Sequence, residues 1–63
     1  QTMAKFSIML FGIDSYTKHQ IQLPYKLDAK TAETALREAR MCTMTFYPRF
    51  RETGKPDVEV VKR

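Results

Sequence analysis

The segment KFSIMLFGI (Lys5–Ile13) places Phe6, Ile8 and Leu10 at every second position, with Lys5, Ser7, Met9 and Phe11 between them. A two-residue apolar period suits a strand buried on one face and does not suit a helix. A second alternating segment follows almost at once. From Tyr16 to Tyr25, His19, Ile21, Leu23 and Tyr25 form an apolar parity, and Tyr16, Lys18, Gln20 and Gln22 a polar one. Only Asp14-Ser15 separates the two, so the chain must fold back on itself as an antiparallel hairpin. A lone hairpin is marginal in water, so another element must cover its apolar face.

The next segment supplies that cover. Asp28 reads as a helix N-cap, and Ala29 to about Met41 is built of good helix formers. Ala32, Ala35, Leu36, Ala39 and Cys42 recur at helical spacing as an inward stripe, and its alanines let the helix backbone lie close to a sheet. Leu36, the largest apolar member, is expected to anchor the stripe. Lys30, Glu33, Arg37, Glu38 and Arg40 take the solvent side, with Glu33 and Arg37 four residues apart in the favourable order.

After Met41 the preferences shift. Thr43, Thr45, Phe46 and Tyr47 favour a third strand, irregular or at an edge because of Pro48. The alternative is a helix that runs on to Phe46 and stops before Pro48. Phe46 and Phe50 are expected in the core. ETGKPD (52–57) reads as a turn and VEVVKR (58–63) as a last strand. The expected fold is a two-layer α+β domain over 1–63, ββαβ or ββαββ, with one helix on one face of a small sheet. This layout resembles the ubiquitin-like grasp and other small hairpin-plus-helix modules, a likeness of layout that implies no function.

Size and composition limit the chemistry. The 63 residues make one domain with a thin core, so a partner or a second copy is the expected extra support. Cys42 is the only cysteine, which excludes a disulfide within the chain and points to a reducing, cytoplasmic setting. One cysteine and one histidine cannot fill a structural zinc site. Two glycines cannot build a glycine-rich phosphate loop. His19 is expected to be half-buried in the hairpin, and Cys42 to be an inert core thiol. No catalytic residue, metal or cofactor is therefore assigned. The apolar run Phe6–Phe11 is too short to span a membrane and lacks a signal-peptide cleavage site. Met3-Ala4-Lys5 reads as a natural start, which leaves Gln1-Thr2 as an appended pair.

Function is expected on the sheet face that the helix leaves open. With 43–51 extended, that face collects Lys5, Lys18, Arg49, Arg51 and Arg63 against Glu59, which equals the chain's net charge of +4. It also gathers Phe11, Tyr16 and Tyr47. Arginines on phosphates with aromatics under bases is single-strand chemistry, so a basic nucleic-acid-binding face is the first expectation. The alternatives are a protein-interaction module, such as a small inhibitor or adaptor of the kind mobile elements encode, and a structural subunit that dimerises through Met9 and Phe11.

Overall fold

The structure, a computed structural model, describes residues 3–61. Its elements are β1 (Ala4–Asp14), β2 (Gln20–Ala29), α1 (Ala32–Phe46), β3 (Phe50–Glu52) and β4 (Asp57–Val60), which is ββαββ, one of the two expected orders. β1 and β2 pair antiparallel from Ala4↔Ala29 to Ile13↔Gln20. The even residues of β1 face the helix, and Phe6, Ile8 and Leu10 are buried there.

The hairpin turn is longer than Asp14-Ser15. The Asp14 carboxylate accepts from the backbone N–H groups of Tyr16 (2.7 Å) and Thr17 (3.1 Å), and Lys18 adopts a left-handed φ of 68°. Asp14 N–H donates to the His19 carbonyl at 2.9 Å and closes the turn. These local bonds consume residues 15–19, so β2 begins four residues later than the alternation suggests and runs on to Ala29. Its inward parity survives through Ile21, Leu23, Tyr25 and Leu27. His19 is exposed at the turn, not half-buried.

Asp28 does not cap the helix, because it lies within β2 opposite Lys5. Thr31 does so: its Oγ1 accepts from Thr34 N–H at 3.1 Å. The helix then continues through Thr43–Phe46, which corrects the extended reading of 43–47. Tertiary burial overrides strand preference here. Thr43 is buried, its Oγ1 donating to the Ala39 carbonyl (2.9 Å) and meeting Tyr25 Oη at 2.6 Å. Thr45 Oγ1 likewise donates back to the Met41 carbonyl at 3.1 Å. Tyr47 N–H bonds to the Thr43 carbonyl at 2.7 Å, and Pro48 follows the cap.

β3 and β4 both pair with the edge of β1 opposite β2. They act as one interrupted strand. From Glu52 to Asp57 the chain advances five residues while their partners, Gly12 and Met9, are three apart. The two extra residues bow out as a bulge, and Thr53 N–H reaches the Phe11 carbonyl at 3.0 Å. Gly12 makes this edge possible: a Cβ there would meet Phe50 Cζ at 2.6 Å, as well as the Arg51 carbonyl.

Ala35 and Ala39 are fully buried against the sheet, as the alanine stripe predicts, whereas Ala32 in the first helical turn is exposed. Ile8 and Leu10 are the largest fully buried side chains. Leu36 packs against the core but is only half-buried, so it is a lesser anchor than expected. Cys42 is exposed rather than inward. Phe50 joins the core, whereas Phe46 remains 72% exposed.

Candidate functional site

The outer sheet face carries the odd residues of β1, the even residues of β2, and Arg51, Asp57 and Glu59 from the opposite edge, as the pairing registers require. Its charges are Lys5, Lys26 and Arg51 against Asp28, Asp57 and Glu59. Among the described residues they cancel, so the expected concentration of basic charge, which counted Arg63, is not found there. Two shifts explain this: β2 begins late, which leaves Lys18 in the hairpin turn, and the longer helix leaves Arg49 in the turn before β3; β4 adds Asp57, while Lys26 and Asp28 offset each other.

Of the residues expected on this face, Lys5, Phe11 and Arg51 lie there. Lys5 is opposite Asp28, Phe11 is half-buried beside the bulge, and Arg51 is opposite Ile13. Tyr16 and Lys18 stand in the hairpin turn, Tyr47 caps the helix, and Arg49 lies in the turn between α1 and β3. Arg63 is outside the described residues.

The displaced residues meet at one end of the molecule. Ser15 N–H donates to the Arg49 carbonyl at 2.8 Å, which joins the hairpin turn to the turn after the helix. The Arg49 guanidinium lies 5.3 Å from the centre of the Tyr16 ring, within cation–π range. Its Nε is 3.9 Å from Asp14 Oδ2. The Asp14 carboxyl is held below its ordinary range, chiefly by the backbone N–H of Thr17, then by that of Tyr16, with Arg49 adding to both. It therefore stays charged and keeps the turn in place.

Around this joint stand exposed apolar groups: Tyr16 (78%), Met44 (75%), Phe46 and Tyr47 (50%). A cleft of about 340 Å³ opens between the last helical turn and β3. Leu10, Met44, Tyr47, Pro48 and Phe50 form its apolar lining, with Arg40, Arg51 and Glu52 around it. Arg40 grips Glu52 with two hydrogen bonds, 3.0 and 2.9 Å, and Arg51 Nη1 donates to the Pro48 and Phe50 carbonyls. A smaller hollow of about 150 Å³ shares Tyr47, Pro48 and Phe50 and adds Ile21, Phe46 and Arg49. Sequence reasoning missed Met44 and Phe46 because the extended reading of 43–51 turned them inward.

The charge excess of the described residues also collects here. Eleven basic residues less Lys62 and Arg63 leave nine in the described chain, against seven acidic ones, an excess of two. Lys18, Arg40, Arg49 and Arg51 share this end with Asp14 and Glu52 and account for that excess. The other five basic and five acidic residues cancel. Among the described residues, no three His, Cys, Asp or Glu side chains gather as a metal-binding group, and no helix is long and apolar enough to cross a membrane.

Comparison of the chain with protein-family models, with curated proteins and with solved structures found no significant match. Any reading of function therefore rests on the geometry of this end.

Proposed function

We propose that the chain is a non-catalytic interaction module that docks onto another protein through the end formed by Tyr16, Met44, Phe46, Tyr47 and Arg49. The partner surface is apolar with acidic residues around it. The observation that carries this reading is the convergence of exposed aromatic and methionine side chains with the basic excess of the described residues, whose remaining charges cancel. Aromatics, methionine and arginine are the residue types enriched at the centres of protein interfaces, and they stand here on both sides of the helix end, beside two hollows. The clefts beside Tyr47 and Pro48 offer seats for partner side chains, while Arg49 and Lys18 favour an acidic surround.

Nucleic acid is the competing ligand. Arg49 on Tyr16 suits it, but an excess of two charges with Asp14 and Glu52 interleaved is far weaker than a phosphate-binding surface needs. Selection from a displayed random-peptide library, run beside titration of labelled single- and double-stranded oligonucleotides at two salt concentrations, tests the choice. The expected result is enrichment of peptides combining aromatic or aliphatic anchors with Asp and Glu, with binding lost in Tyr47→Ala and Arg49→Glu. Tight, salt-sensitive oligonucleotide binding without peptide enrichment would replace this reading with the nucleic-acid one.

A further inference from the structure

We infer that the outer sheet face is a seam between two copies of this chain, related by a twofold axis along β1. The surface shares only Arg51 with the docking end and does not depend on it. The helix covers the inner face, and among the described residues nothing covers the outer one. Met9, Phe11 and Ile13 run down its middle strand and are only half-buried.

What identifies the occupant is the placement of charge across the strands. Ser7 pairs with Lys26 on one side and Glu59 on the other, so one level of the sheet reads positive, neutral, negative. Met9 pairs with Pro24 and Asp57, which places a second acid in the same outer column as Glu59. A half-turn about β1 lays the β2 column of one copy over the β4 column of the other. Lys26 then faces Glu59 twice, once on each side of the axis. Along the axis Met9, Phe11 and Ile13 meet their own copies, and side chains of that size fill the spacing of about 10 Å between packed sheets. An axis across the strands, centred on Met9, would instead lay Lys26 over Gln22 and leave Glu59 without a cation. Lys26 and Glu59 thus fit a second copy in one orientation, while Lys5, on the axis, meets its own copy with Asp28 beside it.

Ten residues of strand at about 3.3 Å each, across three strands about 4.8 Å apart, offer roughly 500 Å² per copy. Two copies bury about 1,000 Å², the lower bound for a specific interface, so the dimer is weak and concentration-dependent. Because the axis follows β1, the copies run parallel and their two docking ends lie side by side.

Sedimentation equilibrium of the full chain from about 1 to about 200 µM tests the seam. Lys26 and Glu59 are both exposed, so Lys26→Glu and Glu59→Lys are expected to fold, as checked by circular dichroism. Each single variant should weaken the dimer about tenfold, because it turns two attractions into two repulsions. The double variant should return to within about threefold of the original, because it rebuilds both pairs in reverse. A monomer at every concentration would overturn the inference and give the face to another occupant. Dimerisation that ignores the single variants, or that Arg49→Glu abolishes instead, would overturn it as well. Should Lys26→Glu fail to fold, Met9→Gln on the axis gives the same reading: loss of the dimer supports the seam, and an unchanged dimer refutes it.

Discussion

Replacing Tyr25 with phenylalanine probes the contact that holds the last helical turns against β2. Tyr25 Oη and Thr43 Oγ1 are 2.6 Å apart. Thr43 Oγ1 already donates to the Ala39 carbonyl at 2.9 Å, so the tyrosine hydroxyl is the donor of the pair. Tyr25→Phe removes that donor without orphaning the threonine, and the expected cost is one net hydrogen bond, about 0.5–1.5 kcal/mol. For a domain of this size, each kcal/mol corresponds to a melting shift of about 4–8 °C. Thr43→Val removes the acceptor and leaves the tyrosine hydroxyl to whatever water reaches its half-buried site, for a similar or slightly larger cost. Thermal melts of the two single variants and the double variant close a cycle, whose coupling should be about 1 kcal/mol. Coupling near zero, with Tyr25→Phe melting like the original protein, would refute the helix through Thr43. In an extended 43–47 segment these two hydroxyls would not meet.

Gly12→Ala should destabilise by about 1–3 kcal/mol in denaturant melts, since its Cβ would collide with the Phe50 ring and the Arg51 carbonyl. Leu10→Ala, at a fully buried position, should cost about 3–5 kcal/mol and leave little folded protein by circular dichroism, because that matches the net stability of so thin a core. Leu36→Ala at its half-buried position should cost less than Leu10→Ala, about 1–2 kcal/mol, in the same assay. Because the folded Asp14 carboxyl titrates below its unfolded value, its stabilisation of the hairpin turn is present above about pH 4 and lost as pH falls through the lower folded value. Amide exchange at Tyr16 and Thr17 should therefore rise in acid after correction for intrinsic rates, and Asp14→Ala should remove that dependence.

The ββαββ order was legible because the period-2 parity of Phe6, Ile8 and Leu10, and of Ile21, Leu23 and Tyr25, reflects burial on one sheet face. The alanine stripe was legible for the same reason. The boundaries were not, since they depend on partners distant in sequence. Asp14 lengthened the turn by bonding its own backbone and delayed β2. Thr43 prolonged the helix because Tyr25, eighteen residues earlier, gave its hydroxyl a buried partner. Those two shifts moved Tyr16, Lys18, Tyr47 and Arg49 off the sheet face and gathered them at one end. The residue types of the candidate site could be read from the chain, whereas their meeting place depended on the Ser15–Arg49 contact between two turns.

The central claim, docking of a protein through this end, is tested most directly by mapping backbone amide shifts as a library-selected acidic peptide is titrated into the labelled full chain. The account predicts that the largest changes fall on Tyr16, Lys18, Met44, Phe46, Tyr47 and Arg49. Ser7, Met9 and Lys26 on the sheet face should stay within the scatter of the remaining residues. It also predicts that Tyr47→Ala weakens the peptide by at least about fivefold, as expected of an aromatic anchor. Shifts centred on the sheet face, or a peptide that binds Tyr47→Ala and Arg49→Glu as tightly as the original chain, would contradict it.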